Sequence, residues 1–153
     1  MTHKPILLLN GPNLNMLGTR EPHIYGSTSL KDVEDMARKK AKELGFEIVC
    51  RQSNHEGQLV EWIQEAITDF SGVVINPAAY THTSVAILDA LKNVKGPIIE
   101  IHISHPHQRK GEEFRQHSYV SYVATSTICG AGVYGYVLAV DACAHLINTR
   151  KAS

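Results

Sequence analysis

An α/β fold, built as a doubly wound parallel sheet of five strands, is what this sequence predicts, and three observations predict it. Strand-like and helix-period segments alternate from end to end of the 153 residues, the pattern of parallel strands joined by right-handed helical crossovers. The first strand candidate, Ile6-Leu7-Leu8-Leu9, and the third, Gly72 to Ile75, are continuous apolar runs, as expected of strands covered on both faces. Breakers stand at the carboxyl ends of both, Asn10-Gly11-Pro12-Asn13 and Asn76-Pro77. Five strands in about 150 residues fit the flavodoxin-like order 2-1-3-4-5.

Each element has its own warrant. After strand 1, a long polar loop carries Asn13, Asn15, Arg20, Glu21, His23 and Tyr25 before any helical period begins. Loops of that length in compact domains tend to be lids or binding loops. Leu30, Val33, Ala37, Ala41 and Leu44 form the apolar stripe of a helix over Ser29–Leu44, with Ser27, Thr28 and Ser29 as N-cap candidates and Gly45 beyond its end. Phe46–Gln52 alternates as a half-covered strand near an edge. A second helix over Gln58–Phe70 turns Leu59, Trp62, Ile63, Ala66, Ile67 and Phe70 inward. Ala78–Ser84 reads as a loop and Val85–Leu91 as a third helix, stopped by Gly96-Pro97. Ile98–Ile103 is strand 4, followed by a loop or short helix over Ser104–His117. A fifth strand is placed within Val120–Cys129, and a last helix runs from about Val133 to Asn148. No repeat or linker interrupts the chain, so residues 1–153 read as a single domain.

Composition removes several function classes. Hydrophobic residues make up 43% of the chain, and 15 basic residues balance 15 acidic ones. A neutral chain gives no electrostatic reason to expect nucleic acid or a membrane surface as partner. No apolar run approaches the roughly 20 residues that span a bilayer. The three cysteines, Cys50, Cys129 and Cys143, are odd in number and widely spaced. They suit reduced, buried thiols in a cytoplasmic protein. No G-x-G-x-x-G follows strand 1, and G-x-x-x-x-G-K-[ST] and G-x-S-x-G are absent, which argues against the common dinucleotide, P-loop and serine-hydrolase sites.

In open parallel sheets ligands bind beyond the carboxyl ends of the strands, near the switch between strands 1 and 3. Three polar sets fall there: Asn10–Asn13, Asn76–His82 and His102–Ser104. Two constellations carry potential chemistry. Arg20 and Tyr25 share the first loop. They read either as a surface arginine and a packing tyrosine, or as a base, because a phenol with a pKa near 10 works at neutral pH only if a cation stabilises its anion. Glu100 and His102 share one face of strand 4. They read either as a satisfied structural pair or as an acid, since a carboxylate beside an imidazole favours the charged ring. His102-x-x-His105-x-His107 is not read as a metal site: no third-ligand spacing supports it and Pro106 breaks the regular geometry.

With those residues in view, the chain resembles type II 3-dehydroquinate dehydratases over nearly its whole length. The resemblance rests on Asn10-Gly11-Pro12-Asn13-Leu14 with Leu17-Gly18, Arg20-Glu21-Pro22 with Tyr25-Gly26, Arg51-Gln52-Ser53-Asn54, Asn76-Pro77, Thr81-His82-Thr83-Ser84, Glu100-Ile101-His102-Ile103-Ser104, and Glu112-Glu113-Phe114-Arg115 with His117-Ser118. It implies a lyase that converts 3-dehydroquinate to 3-dehydroshikimate by trans elimination through an enolate, with no cofactor, metal or Schiff base. By the same resemblance Tyr25 is the general base and Arg20 stabilises its phenolate. Asn13 helps hold the enolate oxygen through a water. His102 is the acid, oriented by Glu100. Asn76, His82, Asp89, Ile103, Ser104 and Arg115 bind the substrate. The resemblance further implies a homododecamer, a tetramer of trimers. It leaves open service in shikimate biosynthesis or in quinate breakdown, since one reaction serves both.

Two departures from the family pattern stand out. About two extra residues lie near Lys110-Gly111, so either Arg109 or Lys110 takes the place of the family's lid arginine. His105 stands where the family usually has asparagine, and it is given no catalytic role. Two other classes remain as alternatives: a flavodoxin-like nucleotide or flavin binder, and a non-catalytic scaffold of the same fold.

Overall fold

A computed structural model describes residues 3–19, 23 and 27–150. Five parallel strands, β1 (Ile6–Asn10), β2 (Ile48–Gln52), β3 (Gly72–Asn76), β4 (Ile98–His102) and β5 (Ser126–Cys129), form one sheet in the order β2-β1-β3-β4-β5. Helices α1 (Leu30–Glu43), α2 (Glu56–Asp69), α3 (Val85–Leu91) and α4 (Tyr134–Thr149) cover its two faces. The predicted fold class and strand order are the observed ones.

The two-residue period of a strand sorts the apolar side chains into two cores. Ile6, Leu8, Val74, Ile99 and Ile101 pack with Val33, Ala37 and Ala41 of α1 and Tyr136, Ala139, Val140 and Cys143 of α4. Leu7, Leu9, Val73, Ile75 and Ile98 pack with Leu59, Ile63 and Ala66 of α2 and Ile87, Ala90 and Leu91 of α3. Every residue of β1, β3 and β4 is buried, whereas β2 is half-buried throughout. Continuous apolar runs in the sequence thus became central strands, and the alternating run became an edge.

Local chemistry fixes the helix starts. Ser29 Oγ accepts from the Asp32 N–H at 3.1 Å while Asp32 Oδ2 accepts from the Ser29 N–H at 3.1 Å, a reciprocal cap on α1. Ser84 Oγ accepts from the Ile87 N–H at 2.9 Å and caps α3. Trp62 on α2 and Phe70 just beyond its end are only partly buried, and the Arg51 guanidinium lies 5.6 Å and 5.8 Å from their ring centroids, closing that margin of the core.

The structure differs from expectation in three places. Residues 78–82 form a 3-10 turn rather than an irregular loop. No α-helix joins β4 to β5; that crossover carries short 3-10 turns at Pro106–Gln108, Glu113–Gln116 and Val120–Tyr122. The fifth strand is consequently short: the start of the expected segment, Val120–Tyr122, is a turn, because Ser118 Oγ accepts from the Ser121 N–H at 3.2 Å and both hydroxyls reach the Glu100 carboxylate. A polar anchor at the sheet end outweighed the β-propensity of valine and tyrosine.

Candidate active site

Register sets the stage. Asn10 at the end of β1 lies beside Gln52 of β2 and Asn76 of β3, and Glu100 of β4 lies beside Ile75. The carboxyl ends of the three central strands thereby present Asn10, Asn76 and His102 at one rim. Gly11 lets the first loop lie tight against that rim: its N–H donates to the Asn76 carbonyl at 2.8 Å, and a Cβ there would meet the Pro77 carbonyl oxygen at 2.5 Å. Asn13 follows in the left-handed region at φ 70°. Its N–H donates to Asn54 Oδ1 at 2.9 Å, and Gln52 Nε2 donates to the Gly11 carbonyl at 3.1 Å. The Gln52–Asn54 segment therefore pins the loop that carries Asn13.

A cleft of about 160 Å³ opens at this rim. Asn13, Asn76, His82, His102, Ile103, Ser104 and Arg115 all line it, and so does Arg109. Arg109 Nη2 donates to Ser104 Oγ at 3.2 Å, while Lys110 is exposed. The arginine, not the lysine, takes the place at the cleft. A second cavity of about 370 Å³ lies on the other side of His102 and shares His82, Pro106 and Arg115 with the first. His102 and His82 form part of the wall between them.

Glu100 is fully buried, with His102 beside it at 9% exposure. His102 Nε2 lies 2.5 Å from Glu100 Oε2, leaving Nδ1 as its other ring nitrogen. The same oxygen accepts from Thr81 Oγ1 at 3.0 Å and Ser118 Oγ at 2.7 Å, and Oε1 accepts from Ser121 Oγ at 2.6 Å. Burial alone would push the carboxyl up. The hydrogen bond and charge of His102, with the Ser121 and Ser118 hydroxyls, more than offset that and hold it at about 2. Glu100 is thus a buried anion kept charged by its donors.

His82 Nδ1 lies 2.8 Å from the His117 carbonyl, which can only accept, so this nitrogen carries the proton. Burial pushes its pKa down, and although the carbonyl bond opposes this, the nearby positive charge of Arg115 adds to the lowering. The neutral ring then leaves Nε2 as a hydrogen-bond acceptor. Arg115 Nε stands 3.1 Å from Glu112 Oε1 as an ion pair without hydrogen-bond alignment.

Of the expected site residues that are described, Glu100 lines the second cavity and meets the cleft only through His102, and Asp89 lines neither. Asp89 is 65% exposed on α3, 3.9 Å from Lys92. Arg20 and Tyr25 lie outside the described residues. His105 Nδ1 accepts from the His107 N–H at 3.3 Å, a local turn contact. Among the described residues no three His, Cys, Asp or Glu side chains gather as a metal site, and no helix is long and apolar enough to cross a membrane. The cysteines are free thiols, of which Cys143 alone is fully buried; burial pushes it to about 12 and the half-buried Cys50 to about 11. Such thiols are poor nucleophiles.

Residues 4–144 match the Dehydroquinase class II family. The chain belongs to that family. It is 56% identical over 153 residues to a 3-dehydroquinate dehydratase of Streptomyces avermitilis, a match covering 99% of this chain and 95% of that one. Identity to a 3-dehydroquinate dehydratase of Phenylobacterium zucineum is 57% over 143 residues, covering 94% and 97%. The crystal structure of a type II dehydroquinase from Propionibacterium acnes superposes with a TM-score of 0.88 at 47% identity, covering 93% of this chain and 97% of that one. The Arg51–Asn54 segment does not line the cleft; through Gln52 and Asn54 it holds the Asn13 loop. The roles of several groups are not legible in the sequence, among them the Thr81 and Ser118 hydroxyls on Glu100. Ser121 was hidden in a segment read as strand. Asn54 was quoted as a motif without a task. Tyr136 sits at helical spacing with Ala139, Val140 and Cys143 and reads as core.

Proposed function

We propose that this protein dehydrates 3-dehydroquinate to 3-dehydroshikimate. The observation that carries the reading is a buried, ionised Glu100 bonded to a histidine that lines the cleft, in a chain of the Dehydroquinase class II family. Removal of a proton alpha to a ketone needs a base and a partner for the enolate oxygen. Tyr25, as a phenolate favoured by Arg20, is the proposed base, and Asn13, acting through a water, holds the enolate. Loss of the hydroxyl needs an acid. His102, oriented by Glu100, delivers the proton, and Glu100 remains charged throughout because its hydroxyl donors stay in place. Asn76, His82, Ile103, Ser104 and Arg115 bind the carboxylate and hydroxyls, with His82 Nε2 accepting from a hydroxyl. Asp89 is retained as a proposed substrate contact, although it does not line the cleft of its own chain.

The reaction proceeds without metal or Schiff base, in a single catalytic domain working in the cytoplasm, with twelve copies assembled as a tetramer of trimers. The exposed aromatic surface of Phe114 and Tyr122, 63% and 72% accessible beside the cleft wall, favours association. Light scattering at micromolar concentration then reads about twelve chain masses; a fully active monomer contradicts it.

The decisive experiment follows the absorbance of the conjugated product for wild type, Tyr25→Phe and Arg20→Ala, with a kcat profile from pH 6 to 10. Tyr25→Phe is expected to lose about 10⁴-fold at every pH. Arg20→Ala is expected to regain activity as pH rises, because the phenol is still present. A Tyr25→Phe enzyme with a tenth of wild-type kcat removes the tyrosine from the mechanism. Activity is expected to survive EDTA, and borohydride is expected to trap no substrate adduct.

A further inference from the structure

A chain of three buried polar side chains runs beneath the β1–β3 side of the cleft. Tyr136, in the first turn of α4, is fully buried, and its hydroxyl donates to Asn10 Oδ1 at 2.6 Å. Asn76 Nδ2 donates to the same hydroxyl oxygen at 2.8 Å, and Asn76 Oδ1 accepts from the Ala78 N–H at 3.1 Å. The bookkeeping of donors leaves one solution. A backbone N–H only donates, so Asn76 must turn its oxygen to Ala78 and its nitrogen to Tyr136. The phenol must then receive from Asn76, and its single proton goes to Asn10. One Nδ2–H of Asn76 is left over, on a residue that lines the cleft.

The local backbone is built around this arrangement. Ala78 holds φ 53°, a left-handed conformation that alanine rarely adopts, and its N–H is the group that reads the Asn76 oxygen. Gly135, next to Tyr136, has no side chain to collide with Ile101, where a Cβ would stand 2.5 Å from Cδ1. Its absence lets the start of α4 settle on the sheet and brings the phenol between the two strand ends. The triad is not an efficient stabiliser: Asn10 is completely buried, and its Nδ2 has no hydrogen-bond partner among the described residues. A buried donor left unmet costs stability, so the network is better accounted for by the geometry it enforces.

We propose that Tyr136 is a positioning residue: through its hydroxyl it locks the Asn76 amide so that an N–H faces the cleft as a donor to a substrate hydroxyl or carboxylate oxygen. The inference rests on reading the cleft as the 3-dehydroquinate site. Burial pushes the Tyr136 pKa up, so the phenol stays a neutral donor and acceptor across the working pH range.

The test is Tyr136→Phe, which removes one oxygen and keeps the ring. KM for 3-dehydroquinate is expected to rise about threefold to tenfold, the scale of one neutral hydrogen bond, with kcat within twofold of wild type. Val140→Ala, equally buried on the same helix, is the comparator: it is expected to lower Tm and leave KM unchanged. A crystal structure of Tyr136→Phe is expected to show the Asn76 amide rotated or in two conformers. Unchanged KM with a Tm loss like that of Val140→Ala, or an Asn76 amide that has not moved, overturns the proposal. Asn10→Ala approaches the same lock from its other end and, should Tyr136→Phe not fold, is expected to raise KM in the same direction. If wild type fails to dehydrate 3-dehydroquinate, the functional reading falls. The Asn76 amide in the variant crystal structure then still decides whether Tyr136 sets its orientation.

Discussion

The two sides of the cleft hold their polar groups by opposite means. At the end of β4 a buried anion, Glu100, is surrounded by an imidazole and hydroxyls from Thr81, Ser118 and Ser121. At the ends of β1 and β3, two amides and a phenol hold one another without any formal charge. The charged side recruits donors from several segments, because an unpaired buried charge is prohibitive. The neutral side tolerates a donor at Asn10 that is unmet among the described residues. One side is thus suited to moving a proton and responds to pH; the other is suited to fixing an orientation and does not titrate in the working range.

The sharpest way to break this contrast is His102→Ala. On the proposed role of His102 as the acid, turnover is expected to fall by about 10²–10⁴ with little change in KM, because such a proton is delivered mainly in the transition state. Steady-state kinetics in which only KM rises would move His102 to the binding side. Glu100→Gln ranks next. It keeps the shape but turns an acceptor into a partial donor among groups that all donate, and unfolding by denaturant is expected to show a loss of about 3 kcal/mol.

Acid titration examines the same group without mutation. The folded carboxyl titrates at about 2, below its ordinary value of 4.5. Its contribution is therefore complete above pH 4.5 and lost as pH falls toward 2, on the order of 3 kcal/mol. Thermal melts are expected to show that acid limb in wild type and a shallower one in Glu100→Gln; equal limbs would assign acid sensitivity elsewhere. The smallest effect belongs to the neutral side. Asn76→Ala is expected to raise KM about tenfold, near 1.4 kcal/mol, by an amount that does not vary between pH 6 and 9. A pH-dependent penalty would show that the two sides are coupled.

How legible this was depended on how local each signal is. Strand order followed from alternation and from the unbroken apolar runs at Ile6–Leu9 and Val73–Ile75, since a run of that kind has few other uses. The pairing of Glu100 with His102 followed from the period of two. Placement of Asn13, Asn76 and Ser104 at one rim followed from where parallel sheets bind ligands. The hydroxyls around Glu100 were not legible, because Thr81, Ser118 and Ser121 come from different turns and nothing in sequence tells which serine a buried carboxylate will recruit. Tyr136 was hidden for the converse reason. Its ring obeys the apolar spacing of α4, and only the fold reveals that its one polar atom ends between two strands. The start of the fifth strand was misplaced because valine and tyrosine at 120–123 have strand propensity that a tertiary polar anchor overrode.

The hydroxyl of Tyr136 and the amide of Asn10 are 126 positions apart in the chain. Closing so long a loop is entropically costly and slow compared with forming neighbouring helix and strand contacts. During synthesis, β1, β2 and β3 can emerge and pair while the residues of α4 are still within the ribosome. The floor of the cleft therefore acquires its final geometry only when the last helix docks, so that recovery of ligand binding in a refolding experiment reports the end of folding rather than the formation of the sheet.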